Sequence, residues 1–338
     1  MKFLVSAMTL MLGVVLAAPC GAAPEKTHIT IGVGGEALLY YLPLTIAERK
    51  GFFREEGLDV TIDDFAGGAP SLMAMIGGST DATAGSYEHT IEMQAKGQDI
   101  RAVIELGRSP GIALVVRKSL AAEIRSVADL KRRKIGVTAP GSSTNFFVNA
   151  LLAKEGLSPD DVSFIAVGGG AGAVAAMEQG EIDAMANVDP VISKLEGDNA
   201  VAMLVDSRTE EGVKAVYGGP VPAGVLYARE DFIAAHPETI QALVNALMKS
   251  LRWLATATPE DVAATVPQEY LFGDRDLYIR SVRNSLPTYS RDGLIGLDGM
   301  QSSFDILRRF SPDLNNSQID LARTWEPRFA EVAAHGVH

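Results

Sequence analysis

Cysteine is almost missing from these 338 residues: Cys20 is the only one. That excludes a disulfide framework, a thiol nucleophile elsewhere in the chain and a cysteine-based metal site. Stability has to come from an ordinary apolar core, which a hydrophobic content of 47% can supply. Histidine is scarce too, with His28, His89, His236, His335 and His338 as the full set. They show no metal-ligand spacing, and no nucleophile elbow occurs, so no metal, no cofactor and no catalytic constellation is expected. Positive charge is short: 30 Lys and Arg face 42 Asp and Glu, a net charge of −12 with no basic run. Such a chain is a poor partner for nucleic acid or an anionic lipid surface. Long apolar runs are lacking beyond Phe3–Ala18, whose 16 residues fall short of the roughly 20 that span a bilayer.

That one run has the form of a secretory leader. Lys2 is its only charge, and Pro19, Cys20, Gly21 and Ala22 follow as a small-residue exit. Residues 1–22 are expected to be a signal peptide cut near Ala22–Ala23, with a periplasmic destination. Lipid anchoring at Cys20 is not expected, because Pro19 stands where such signals want a small residue.

What the sequence does have is the same unit twice. Gly67-Gly68-Ala69, Ala74-Met75, Gly78 and Asp81-Ala82 recur as Gly169-Gly170-Ala171, Ala176-Met177, Gly180 and Asp183-Ala184, each 102 positions on. Upstream, Ile31-Gly32-Val33 is echoed by Ile135-Gly136-Val137, and Glu56-Gly57-Leu58 by Glu155-Gly156-Leu157. A repeat this long is a pair of lobes rather than a solenoid unit. Each copy alternates short apolar strands with helical patterns, the signature of βαβ units, and so predicts an α/β fold with parallel sheets. Ile112–Val116 and Gly224–Ala228 are β-branched or apolar strands between the copies and predict a two-strand hinge. Residues 29–111 and 225–338 would form the first lobe, including a helical tail packed back on it, and residues 112–224 the second.

Several phrases resemble a known family: Leu42-Pro43-Leu44-Thr45-Ile46-Ala47, Lys50-Gly51-Phe52-Phe53-Arg54-Glu55-Glu56-Gly57-Leu58, Gly77-Gly78-Ser79-Thr80-Asp81-Ala82, and Val127-Ala128-Asp129-Leu130-Lys131 leading into Ile135-Gly136-Val137. They are similar to the nitrate/sulfonate/taurine/bicarbonate type of ABC-transporter substrate-binding protein, from about Ile29 to Arg229. The resemblance implies a type II periplasmic-binding fold that delivers its ligand to a membrane permease and ATPase. The same scaffold hosts a thiamine-pyrimidine synthase with a cysteine-rich iron-binding motif, which a lone Cys20 cannot reproduce.

In open α/β sheets, ligands bind beyond the carboxyl ends of the strands. In the first lobe this singles out Gly35, Tyr40 and Tyr41, then Gly68, then Ser86, Tyr87 and Glu88, then Arg108. In the second it singles out Ser142, Ser143 and Thr144, Gly169, Asn187 and Asp189. The turn Pro140–Thr144 offers hydroxyls and N–H donors at the start of a helix, a setting for a sulfonate, carboxylate or nitrate oxygen. Arg108, or else Arg208, could meet an anion in a fork. Glu88 or Asp189 facing inward would welcome an amine, as in a zwitterion or a ring with an exocyclic amine. Asp189 as a helix cap and His89 as a structural residue are the plainer alternatives. Tyr40 or Tyr41 could stack on a planar ligand. The function expected is a monomeric binder of a small organic anion or zwitterion, alternatively of an aromatic or pyrimidine ring, that closes on its guest and catalyses nothing.

Overall fold

The computed structural model describes residues 23–336; the expected leader and Cys20 lie outside them. Among the described residues, ten strands form two five-stranded sheets. The first sheet takes β1 (His28–Val33), β2 (Asp59–Asp64), β3 (Ala82–Ser86), β4 (Ile100–Glu105) and β10 (Gly224–Arg229), in the order β2-β1-β3-β10-β4. The second takes β5 (Ala113–Arg117), β6 (Lys134–Val137), β7 (Ser163–Ala166), β8 (Ala184–Asn187) and β9 (Val201–Asp206), in the order β7-β6-β8-β5-β9. The two orders are the same once β1 to β4 are matched with β6 to β9, so the sequence repeat is a repeat of lobes.

The sheets are mixed, which corrects the expectation of parallel ones. β10 runs antiparallel to β3 and β4, and β5 runs antiparallel to β8 and β9. The reason is geometric. The chain leaves the first lobe at the carboxyl end of β4, beside the cleft, and enters the second lobe beside the same cleft. Its first strand there must run away from the cleft, against strands that run towards it; β10 does the same on the return. The two hinge strands are therefore integral strands of the lobes, and the segments that cross are the short ones on either side of Ser109 and Pro220.

The central strands are buried along their whole length. β3 (Ala-Thr-Ala-Gly-Ser) and β8 (Ala-Met-Ala-Asn) are short and small-residue rich, which lets helices sit close on both faces. In the tail, helix Pro237–Leu254 starts on Pro237 and buries Ile240, Leu243, Val244, Leu247, Leu251 and Leu254. That stripe of i, i+3 and i+4 positions is what one apolar helix face requires. It packs on helices Leu42–Arg49, Phe52–Glu55 and Arg328–His335, and Ser250 Oγ donates to the Pro43 carbonyl at 2.7 Å. The tail also gives Trp325 as a bridge partner to Ala102 of β4.

Not all of the tail stays on the first lobe, contrary to expectation. Helix Arg275–Ser285 packs on helix Val191–Gly197, and helix Leu297–Leu307 touches helices Ser143–Lys154 and Glu210–Tyr217, all of the second lobe. Among the described residues no helix is long and apolar enough to cross a membrane. Leu247 is fully buried where the tail meets the first lobe. Leu247→Ala is expected to cost about 2–5 kcal/mol, read as a lower urea midpoint with an unchanged denaturant slope.

Candidate functional site

The carboxyl ends of the two sheets face each other, and at the front of the cleft the lobes touch backbone to backbone. A Cβ added to Gly67 would lie 2.8 Å from Ala139 Cβ and 3.0 Å from the Thr138 carbonyl carbon. Gly67 has an extended backbone, φ 178°, so its lack of a side chain serves this approach and not a turn. Gly35 stands at φ +96°, its missing Cβ 3.6 Å from Gly169 Cα. Hydrogen bonds cross the seam from Ala69 N–H to Ser142 Oγ at 2.9 Å, from Leu39 N–H to the Asp189 carbonyl at 2.9 Å, and from His89 to the Gly141 carbonyl at 3.2 Å.

His89 is held in one tautomer. The Gly141 carbonyl can only accept, so Nε2 donates to it, and Nδ1 accepts from the Tyr227 hydroxyl at 3.0 Å. Burial pushes its pKa down to about 4, which keeps the ring neutral. Gly68 leaves room for it: a Cβ there would stand 3.2 Å from His89 Cε1.

Behind the seam, polar side chains from both lobes gather around the partly exposed Glu88 carboxyl, and this polar cluster is the chamber. Tyr40, Ser86 and Glu88 come from the first lobe, Tyr217 and Ser207 from the second. Ser86 sits at the end of β3 and donates from Oγ to Glu88 Oε2 at 2.9 Å. Tyr40 lies beside Ser86 and Tyr217 beside Ser207, with the Glu88 carboxyl near both rings, while Ser207 Oγ donates to the Ile112 carbonyl at 2.6 Å. Glu88 is half-buried, with protein close around its carboxyl. Burial pushes its pKa up to about 7; the Ser86 hydrogen bond opposes this, and Glu92 adds to it. None of the groups acting on it is a cation. A carboxyl in that position can accept from a donor that enters the cleft.

The other residues singled out in the sequence have settled differently. Tyr41 is buried edge-on against Tyr40, with ring centroids 4.9 Å apart. Tyr87 points away from the cleft, its hydroxyl 2.6 Å from Thr324 Oγ1 inside the first lobe. Thr144 Oγ1 accepts from Thr138 N–H at 3.0 Å, and Asn145 Oδ1 takes the Gly141 N–H at 2.9 Å. With Ser142 already bonded to Ala69, the turn's hydroxyls are engaged by the protein, and Ser143 alone stays half-buried at the helix start. Asn187 braces its own loop, donating to the Gly168 carbonyl and accepting from Val188 N–H.

Asp189 does what a cap does, accepting from Ser193 N–H at 2.9 Å. Neither arginine is free. Arg108 bonds Glu105 at 3.1 Å and also Asp292, while Arg208 bonds Asp206 at 2.8 Å and Glu196 at 2.9 Å. Between the chamber and the hinge, Leu39, Tyr40, Gly107, Asp189 and Tyr289 line a cavity of about 30 Å³, room for one water. Ser207 lies in the loop just past β9, where the strand-end rule points, whereas Tyr217, at the end of helix Glu210–Tyr217, had no local signal in the sequence. Asn145 and Asn149, one helical turn apart after the turn Pro140–Thr144, did offer one. Among the described residues no cluster of acids, histidines and cysteines could hold a metal.

The model of the NMT1/THI5-like family matches residues 39–262. The chain belongs to that family. It is similar to a solved protein from Bordetella bronchiseptica RB50, 48% identical with a TM-score of 0.90, covering 92% of this chain and 98% of that one. The alkanesulfonate-binding protein SsuA from Xanthomonas axonopodis pv. citri, solved with MOPS, is 22% identical with a TM-score of 0.71, covering 90% and 99%; that likeness shows the periplasmic-binding-protein fold. The 4-amino-5-hydroxymethyl-2-methylpyrimidine phosphate synthase of Schizosaccharomyces pombe is 28% identical over 235 residues, 66% of this chain and 64% of the synthase. Proteins named as solute binders and as synthases are thus both similar to this chain.

The raised Glu88 pKa has a consequence for stability. Its carboxyl, ordinarily near 4.5, titrates near 7 when folded, so between those values the native state holds a proton that the unfolded chain has released. Stability therefore falls as pH rises through that window, and the loss is complete above it. Glu88→Gln should be more stable than the parent at pH 8, by up to about 3 kcal/mol, and equal to it at pH 4. Urea unfolding at the two pH values measures this, and an equal gain at both would place the carboxyl in water.

Proposed function

We propose that the protein is an extracytoplasmic solute-binding component that closes its two lobes on a small amine-bearing molecule and passes it to the permease and ATPase of an ABC importer. It acts as a monomer and catalyses nothing. The observation that carries this reading is the Glu88 carboxyl, set between the lobes with Tyr40, Ser86 and Tyr217 around it and no cation beside it. A guest that donates an N–H or N⁺–H to Glu88 while touching the second-lobe wall stabilises the closed form over the open one, and closure needs that differential contact.

A plain anion such as nitrate, a sulfonate or a carboxylate has less support. Arg108 and Arg208 are tied to carboxylates, and the hydroxyls of Ser142 and Thr144 are engaged. A taurine-like zwitterion keeps its amine on Glu88 and sets its anionic end at Ser143 and the first turn of helix Ser143–Lys154. The second reading, a ring with an exocyclic amine such as a thiamine-precursor pyrimidine, places the amine in the same spot and stacks the ring on Tyr40. The named synthase relatives favour it. Against catalysis, both nitrogens of the cleft imidazole, His89, are engaged in fixed hydrogen bonds.

A thermal-shift and calorimetric series over taurine, an aminopyrimidine, methanesulfonate and nitrate tests this. An amine-bearing solute should bind, and Glu88→Gln should weaken it at least tenfold, about 1.4 kcal/mol, at pH 8. An amine-bearing solute that binds parent and variant equally, or nitrate or methanesulfonate binding more tightly than every amine tested, would refute the assignment. Closure itself is tested by Gly67→Ala, whose added methyl meets Ala139 only when the lobes are shut. Affinity should fall for every ligand while the melting temperature of the free protein stays within about 1 °C, a surface-like change.

A further inference from the structure

Residues 294–319 leave the first lobe and return to it. At the near end, Glu105 N–H of β4 donates to the Gly293 carbonyl at 2.8 Å, and Ser290 Oγ donates to Glu105 at 2.8 Å. At the far end, Gln94 and Asp320 exchange two hydrogen bonds, of 2.9 and 2.6 Å. In between, helix Leu297–Leu307 lies across helix Glu88–Ala95 of the first lobe and helices Ser143–Lys154 and Glu210–Tyr217 of the second. The first and last of these three helices carry Glu88 and Tyr217 of the chamber.

Between these two anchors, among the described residues, no hydrogen bond or ion pair joins 294–319 itself to the second lobe or to residues 29–111 of the first; towards the second lobe Phe310 packs on Phe146, with centroids 6.1 Å apart, and Phe146 in turn meets His89 edge-on at 5.9 Å. Beside that contact a concavity of about 440 Å³ remains between Arg309, Phe310 and Pro312 on one side and Ala153, Leu157 and Pro159 on the other. The facing helices also carry Asn145 Nδ2, Asn149 Oδ1 and Ser303 Oγ, buried without partners. Each such atom costs free energy in the closed arrangement. The two ends of this segment are therefore fastened to the first lobe, and its middle meets the second lobe through packing alone.

We propose that residues 294–319 are a lid carried by the first lobe, which seals the flank of the Glu88 chamber through Phe310 and governs how fast the chamber opens to solvent. The proposal rests on the chamber described above. When the lobes part, the lid travels with the first lobe and the Phe310–Phe146 contact breaks; when they close, it covers the side that the glycine seam does not.

The test needs no ligand. In a Cys20→Ala chain, Glu88→Cys places one thiol in the chamber, and its rate of modification by 2-aminoethyl methanethiosulfonate reports access. A thiol from Met73→Cys, at a position 58% exposed, gives the open-solvent rate. The chamber thiol should react far more slowly; an equal rate overturns the chamber and leaves nothing for a lid to cover. Adding Phe310→Ala should then raise the chamber thiol's rate about tenfold, and Phe310→Leu, which keeps apolar contact, clearly less. Unchanged rates in both variants overturn the lid with the chamber intact. Ala228→Cys, in the middle of the first sheet, must stay unreactive beside either Phe310 variant. If it reacts beside Phe310→Ala, that variant reports global unfolding, and Phe310→Leu decides: a rise confined to the chamber thiol supports the lid, and no rise overturns it.

Discussion

Each sheet in this protein contains one strand that belongs, by chain order, to the other half. β5 follows directly on β4 of the first lobe yet sits between β8 and β9, and β10 follows the second lobe yet sits between β3 and β4. Neither lobe completes its sheet without a strand that has crossed, so the two crossings are fixed at the lobe ends that face each other. Both crossing strands carry fully buried residues such as Val115 and Leu226, which anchors the hinge in two cores and leaves rotation about short connections as the soft motion. The same constraint turns the carboxyl ends of both sets of strands towards one cleft.

Into that cleft the first lobe brings a carboxyl with no cation beside it. The low-dielectric setting penalises its charged form, which is why Glu88 titrates near 7 and why a donor arriving from outside would be accepted strongly. Closure adds little chemistry of its own at the front, where glycines let the backbones meet and a few neutral hydrogen bonds form. Such a seam is specific in shape and modest in strength. It is compatible with the opening and closing proposed for the two lobes.

Binders and synthases that resemble one chain show how little a fold decides about chemistry. The imidazole in this cleft is locked between Tyr227 and a second-lobe carbonyl, and the two arginines at the strand ends are locked in carboxylate pairs. Both arrangements use polar groups to hold the cleft's shape. The polar groups at the cleft without such a lock are the Glu88 carboxyl, the hydroxyls of Tyr40 and Tyr217, and the first turn of helix Ser143–Lys154, which is why the proposed guest is set against them.

The repeat of Gly67–Ala84 at 169–186 and the alternation of short apolar runs with helices were enough for the two lobes, because strand and helix periods are local properties of the chain. They also placed Tyr40, Ser86 and Glu88 at the cleft, since a residue just past a strand's carboxyl end has few other places to go. Local pattern could not say that Tyr87 would turn inward to Thr324, that Thr144 would be taken by Thr138, or that Arg108 would prefer Glu105 and Asp292 to an anion. Nor could it say that the hinge strands run antiparallel, that Tyr217 would stand across from Glu88, or that the tail residue Phe310 would pack on Phe146 of the second lobe. Those outcomes depend on which distant groups compete for the same donor, acceptor or apolar surface. Periodicity along the chain sets what each segment is; only packing in three dimensions sets what each side chain meets.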